Sequence, residues 1–470
     1  MPEHQVYHMH PLGWEDDPEE ERFKVTTLDY LSVQAYNNYA LFFRLADEDK
    51  RNAAEVLKAG LERTLSQVRH LCGTIEKDTA GGHSFCKKRD STVQFIVQWL
   101  ESGEYPSLDE IEQSHFSAVK LGDLNIWSVP PMTYGEKPEA NPDHSPVVAA
   151  YKANFVRGGL VFIMHHHHYS NDAENCYAIV NKTPLPDWDP KNLDRSRVTK
   201  PEPPEEANVG GPPAPKRHPE QRTGISLLFH LPKSKAAELK ALATPGDGTR
   251  ISTYDAFSAF IFRHLTRVRA PVFKPAINSP LFWAEAADMR RRFHSPKVPP
   301  RLQGNTMSAA LSTTAPVTPP TVAQVISDWP FWRLAACIRA LTNSVTQENL
   351  DAMLDMVAMV RDKSTLNIRI DAQPPMSILQ TDHRDANITG ADFGFGSPIT
   401  YRHLLDRVTN GVIVIYPPRM NTGNPDEGCE CAIFYEEDLA RTLIDDPEWN
   451  EYFEYRGVDA IDAASSGSSW

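Results

Sequence analysis

Apolar residues recur at spacings of three and four through Ala53–Cys72, where Leu57, Leu61, Leu65, Val68 and Cys72 share one face and predict a helix. The period then changes. Val147–Phe155 reads as a strand, and Arg157-Gly158-Gly159 as a turn whose glycines supply positive φ. Leu160–Met164 reads as a second strand, apolar on both faces and therefore buried within a sheet. Further on, Gly224–His230 has a strand pattern and Ser234–Ala243 that of a short helix. Thr253–Arg269 predicts a longer helix, with Ala256, Phe257, Phe260, Ile261 and His264 on one face and Ser252 or Thr253 as N-cap. Trp329–Thr342 and Gln347–Arg361 add two more. Helices and strands alternate in both halves, so the class is α/β with mixed sheets.

One stretch breaks this pattern. Asn181–Gly224 is dense in proline and charge and nearly free of apolar residues, which makes it an exposed crossover. It divides the chain into an N-terminal domain over 1–180, a linker over 181–224 and a C-terminal domain over 225–470. The expectation is that the linker runs over the surface without lining any channel. Prolines number 38 against 24 glycines in 470 residues, which fits long, stiff connections.

Composition narrows the function. A formal charge of −14 argues against a nucleic-acid binder, whose affinity rests on a basic face. Any anionic ligand must therefore meet a local basic cluster. The start is polar and acidic, without a basic segment and apolar run, and no window reaches the roughly 20 apolar residues of a membrane span. Six scattered cysteines suit a reducing compartment, and Cys429-Glu430-Cys431 reads as an alternating strand, not half a zinc site. A cytoplasmic monomer is expected.

The chemistry concentrates in Met164-His165-His166-His167-His168-Tyr169-Ser170-Asn171-Asp172. Successive strand residues face opposite ways, so four consecutive histidines cannot all reach one metal. Taken alone, each is a solvated or hydrogen-bonded imidazole at a strand end. The spacing His168-x-x-x-Asp172 adds a carboxylate four residues on, able to fix a base directly or by organising its loop.

This presentation resembles the BAHD acyltransferase superfamily, and other stretches follow in the family's order. They are Leu28-Asp29; Leu61–Ser66; Ser252–Phe262 with Arg267-Val268-Arg269; Asp288-Met289-Arg290-Arg291-Arg292 with Gly304-Asn305; and Asp392-Phe393-Gly394-Phe395-Gly396-Ser397-Pro398. The flavour is that of the fungal branch containing trichothecene 3-O-acetyltransferase. Ala173 stands where the family has glycine, and Phe395 and Phe262 where it has tryptophan.

The resemblance implies two chloramphenicol-acetyltransferase-like domains with a channel between them. It implies acyl transfer from acyl-CoA, with acetyl-CoA as co-substrate and no bound cofactor or metal, to a small-molecule alcohol of secondary metabolism. His168, Asp172 and Asp392 form the implied catalytic set. His168 is the general base. Asp172 pairs with Arg290, or failing that Arg292, to lock the loop aiming it. Gly394 and Gly396 allow Asp392 a tight loop on the channel wall. Ser252, Thr253, Arg267 and Arg269 are the residues expected to meet CoA. The alternatives are a condensation-type enzyme fed by a carrier protein, a non-catalytic binder on the same fold, and a metal binder built on the histidines.

Overall fold

The computed structural model describes residues 2–462 apart from 80, 136–137, 173–214, 247, 295–303, 315, 367 and 387. The linker expectation therefore falls outside the described residues up to position 214. Among the described residues the strands run β1 (Glu3–Met9), β2 (Glu20–Lys24), β3 (Tyr36–Arg44), β4 (Thr74–Lys77), β5 (His83–Lys88), β6 (Val93–Leu100), β7 (Ala149–Val156) and β8 (Gly159–His167). After the crossover come β9 (Gly224–Leu231), β10 (Trp283–Asp288), β11 (Met307–Leu311), β12 (Ile378–Asp382), β13 (Thr400–His403), β14 (Val412–Tyr416), β15 (Cys429–Glu436) and β16 (Glu454–Ile461).

They build two large mixed sheets. The first has the order β1-β6-β7-β8-β3-β13 and the second β11-β10-β12-β14-β15-β9-β16, beside a small sheet β2-β5-β4. The predicted hairpin is β7–β8, turning at Gly158 with φ 75°. β8 lies between β7 and β3, every residue of it buried, as its two-sided apolar pattern requires. The predicted helices appear at Lys50–Gln67, Lys233–Ala243, Thr253–Phe273, Phe331–Asn343 and Gln347–Met359. No helix of the described residues is long and apolar enough to cross a membrane.

The division at the crossover needs one correction. β13, from the second half, pairs antiparallel with β3 and completes the first sheet. Asp392–Pro398 is the corner that sends it there. Phe393 and Phe395 pack on Phe43 with ring centroids 4.8 and 5.3 Å away, and the Ile399 amide donates to the Phe42 carbonyl at 2.7 Å. In return, the Ser117 hydroxyl of the first half donates to the Val458 carbonyl of β16 at 2.6 Å.

The exchange is fixed by charge. Arg402 of β13 is fully buried and paired with Glu430 of β15, which also meets Arg419 and Arg456. Burial alone would raise the Glu430 carboxyl, but the three guanidiniums hold it below the usual carboxylate range. Removing one carboxylate from a buried cluster leaves cations without a counter-charge, at roughly 3–5 kcal/mol. Glu430→Ala should therefore lower unfolding stability by about that amount, read from the shift in urea midpoint. A loss below about 1 kcal/mol, the size of an exposed pair, would show that the cluster does not hold the sheets together.

Candidate active site

The four histidines are spent differently. His165, opposite Asn38 on β3, lies between the Val129 amide (3.0 Å) and the Asn38 side chain (2.9 Å). His166 meets Tyr151 Oη at 2.9 Å and accepts from Asn171 Nδ2 at 3.1 Å. His167 donates from Nε2 to the Ala140 carbonyl at 2.8 Å and accepts at Nδ1 from the Tyr169 amide at 3.1 Å. All three are buried with both ring nitrogens engaged, and burial pushes each down to about 3. They are core histidines.

His168 stands one residue past the end of β8. Its amide still donates to the Ala35 carbonyl at 2.9 Å, but Ser170 then turns the chain by bonding back to the His167 carbonyl. His168 alone of the four is not fully buried, and it opens on a cavity of about 470 Å³ between the two sheets. Among the described residues its Nδ1 has no hydrogen-bond partner. Burial lowers the imidazole from its ordinary value, while its own carbonyl and the Asp172 carboxylate pull the other way.

Asp172 closes the loop. Its two oxygens accept from Nη1 and Nη2 of Arg290, both at 3.1 Å, and one also accepts from the Thr306 amide at 2.9 Å. Arg290 is buried and further donates to Asp288 and to the Gly304 carbonyl. A bidentate guanidinium–carboxylate pair fixes orientation as well as charge. Asn305 completes the clamp by donating from Nδ2 to the carbonyls of His168 (2.8 Å) and Tyr169 (3.0 Å). Asn305 in turn reaches Asp29 of the Leu28-Asp29 element at 3.3 Å. Arg292 goes elsewhere, to the carbonyls of Thr342 and Val345.

Other expectations are corrected. Asp392 is exposed, lies outside the His168 cavity and accepts from the Gly394 amide at 2.8 Å, so its role is to close its own turn. Gly394 and Gly396 serve that turn with φ 89° and 140°. Arg269 is buried against Glu436 at 2.8 Å and lies over the Tyr435 ring. Arg267 donates to the Ile326 carbonyl and pairs with Glu448. Their helix is enclosed by neighbouring elements on several sides, so its arginines go to nearby carbonyls and carboxylates instead of a ligand. Ser252 caps the helix in a reciprocal box, its hydroxyl accepting from the Asp255 amide and the Asp255 carboxylate accepting from the Ser252 amide, while Arg339 pairs with Asp255. Thr253 alone of this set lines a cavity, one of about 950 Å³ whose wall includes Lys233, Lys240, Thr244 and Arg384. The linker's described end does line the His168 cavity, through Arg217 and Gln221.

The model of a trichothecene 3-O-acetyltransferase-like N-terminal domain matches residues 35–182. The acetyltransferase FGR3 of Gibberella zeae is 69% identical over 474 residues, covering 98% of this chain and 95% of that relative. The chain belongs to the fungal BAHD acetyltransferases. Trichothecene 3-O-acetyltransferase TRI101 of Fusarium sporotrichioides is a more distant member, 23% identical over 90% of this chain and 95% of its own. Among solved structures, F. graminearum TRI101 complexed with coenzyme A and T-2 mycotoxin superposes with TM-score 0.75, at 19% identity, over 93% of this chain and all of that one. Vinorine synthase superposes at 0.68, with 19% identity over 97% and 98%. The family's two-domain fold is thus the fold seen here, and the protein is an acyltransferase.

Two checks follow from this geometry. Asp172→Asn leaves buried Arg290 short of a full counter-charge and should lower unfolding stability by a few kcal/mol, at most the roughly 3–5 of a broken buried pair. Thermal or urea unfolding reads it, and an unchanged midpoint would separate the pair from folding. The second check uses pH. His165, His166 and His167 are neutral when folded, with their protonation depressed from about 6.5 to about 3. Their contribution is therefore complete above pH about 6.5 and lost as pH falls from there towards about 3, by up to roughly 1.4 kcal/mol per pH unit for each. Urea unfolding at pH 7 and 5 should show the lower value at 5, and less of a drop in His166→Phe.

Proposed function

We propose that the protein transfers an acetyl group from acetyl-CoA to a hydroxyl of a small-molecule secondary metabolite, with His168 as general base. The observation that carries this reading is the selective placement of His168. Three neighbouring imidazoles are consumed by the core, and the fourth is turned by a buried clamp into a cavity between two sheets. Its buried Nδ1 leaves Nε2 as the nitrogen for substrate. Neutral Nε2 takes the hydroxyl proton as the oxygen attacks the thioester carbonyl. As the carbon–sulfur bond breaks, the imidazolium passes that proton to the departing thiolate. A positioned base contributes roughly 10²–10⁴-fold. Asp172 and Arg290 act by holding the ring, not by touching substrate.

The larger cavity suits the donor. CoA is polyanionic, and Lys233, Lys240 and the Thr253 hydroxyl supply a local basic lining, beside an Arg384 that is itself paired with Asp382. The His168 cavity has apolar patches at Leu31, Val33, Met307, Leu379, Val414 and Phe434, set among many polar and charged groups such as Thr381, His383, His403 and Arg369, which suits a small organic acceptor that carries several oxygens. TRI101, with the same fold, holds coenzyme A and T-2 mycotoxin together. Both walls of the cavity come from one chain, so the unit of function is the monomer.

His168→Ala should fold and lose at least about 10²-fold in acetyl transfer from free acetyl-CoA, with no carrier protein present. His165→Ala and His166→Ala should lose stability more than chemistry. Near-native turnover by His168→Ala would end the proposed mechanism. A requirement for a carrier-bound acyl group would assign the enzyme to the condensation type.

A further inference from the structure

His403 ends β13 and faces the same cavity as His168. It stands opposite Tyr39 on β3, while the His168 amide is bonded to Ala35, four residues earlier and just before that strand begins. At the rise of a strand, the two backbones are separated by roughly 13 Å along β3. The two backbones thus enter the cavity at separate points, with the imidazoles still near enough for His168 to disfavour a charge on His403.

The hydrogen bonds around His403 locate its ring proton. Tyr416 is fully buried, and its Oη accepts from the His403 amide at 3.3 Å. The same Oη lies 2.9 Å from His403 Nδ1. Among the described residues, Nδ1 is the acceptor available to the Tyr416 hydroxyl. A buried hydroxyl without an acceptor is costly, so the O–H donates to Nδ1. A neutral imidazole that accepts at Nδ1 carries its proton on Nε2. Burial, with His383, His168 and Arg402 nearby, keeps the ring neutral. Nε2–H makes no hydrogen bond within the described residues, and the Tyr39 and Tyr134 rings flank the imidazole with centroids at 5.0 and 5.9 Å. His383, its neighbour at 5.3 Å, differs: its two nitrogens already meet Tyr401 and Thr381.

We propose that His403 is a specificity-determining residue whose Nε2–H donates to an oxygen of the acceptor remote from the hydroxyl being acetylated. The substrate class is then a compact, mostly apolar ring system with a hydroxyl at one end and a carbonyl or ether oxygen at the other. The proposal rests on the acetyl-transfer reading with His168 as base. One neutral hydrogen bond corresponds to about a tenfold preference.

The test has two arms on the full-length protein. With ¹⁵N-histidine labelling, long-range proton–nitrogen correlation should show His403 as the neutral Nε2–H form, assigned by its loss in His403→Asn. A proton on Nδ1, or a charged ring at pH 7, overturns the proposal. In the second arm, acetyl-CoA is supplied with trans-2-decalol or with 6-hydroxy-trans-2-decalone, which differ only in the distal carbonyl. The native protein should favour the hydroxyketone about tenfold in kcat/KM. His403→Asn keeps an acceptor for Tyr416 but withdraws the donor, and should erase that preference, chiefly through KM. His403→Gln, which can place an amide N–H near the lost Nε2, should restore part of it. Equal rates for the two alcohols in the native protein, nil included, overturn the proposal. So does an equal fall for both in His403→Asn, which would indicate a general role. His168→Ala measured alongside keeps the readings apart: transfer persisting there sinks the base assignment, while the tautomer still judges His403.

Discussion

The arrangement depends on the buried pair between Asp172 and Arg290. Asp172 ends the turn that leaves β8, and Arg290 follows β10 in the other sheet, so the pair links the two halves at the edge of the cavity. A buried guanidinium is stable only when its charge and its donors are matched. Here two carboxylates and a carbonyl match it, which leaves little freedom for the loop that carries His168. Asn305 supplements this by gripping the carbonyls of His168 and Tyr169 from the same stretch of chain. The His168 ring is therefore aimed by the second half although it grows from the first.

A cavity between two sheets needs more than one tie, because a single link is a hinge. The second tie is β13 with its Arg402–Glu430 cluster, and a third is the contact of Ser117 with β16. The DFGFG stretch belongs to this system. Its glycines make the corner, its phenylalanines seat that corner on β3, and its aspartate closes the turn. A loop contributing nothing to the chemistry can still define an enzyme family when the reaction requires two walls at a fixed separation.

Local patterns were largely legible in the sequence. The two-sided apolar run of β8 required a central strand, and the spacing of Leu57, Leu61 and Leu65 required a helix buried on one face. The pairing of Asp172 with the first arginine of the Asp288–Arg292 stretch was also foreseeable, as a family resemblance. Contacts made across the fold were not. β13 is four residues long and contains Arg402, a poor sign of burial until Glu430, Arg419 and Arg456 are seen around it. Arg267 and Arg269 look like ligands for phosphate because sequence shows their charge but not the carboxylates that already meet them. Lys233, Lys240 and His403 carry no motif, since what brings them to a cavity is the wall they share with residues far along the chain.

The histidine run shows how one residue type acquires two roles within a few positions. Inside the sheet each ring is surrounded by backbone and side-chain partners on β3, β7 and the loops above them, and a buried imidazole with both nitrogens engaged by the core has none left to offer a substrate. One position further the ladder ends, the chain turns, and a ring whose basicity burial also lowers meets open space. Its low basicity keeps it neutral and able to accept a proton at ordinary pH. The clamp then only has to stop the ring from wandering. Reactivity thus arises from a boundary, the last hydrogen bond of β8, and not from an unusual side chain. This also explains why the three preceding histidines are compatible with the site. Their ring nitrogens are taken up by the core, and their bonds anchor the strand whose end places His168.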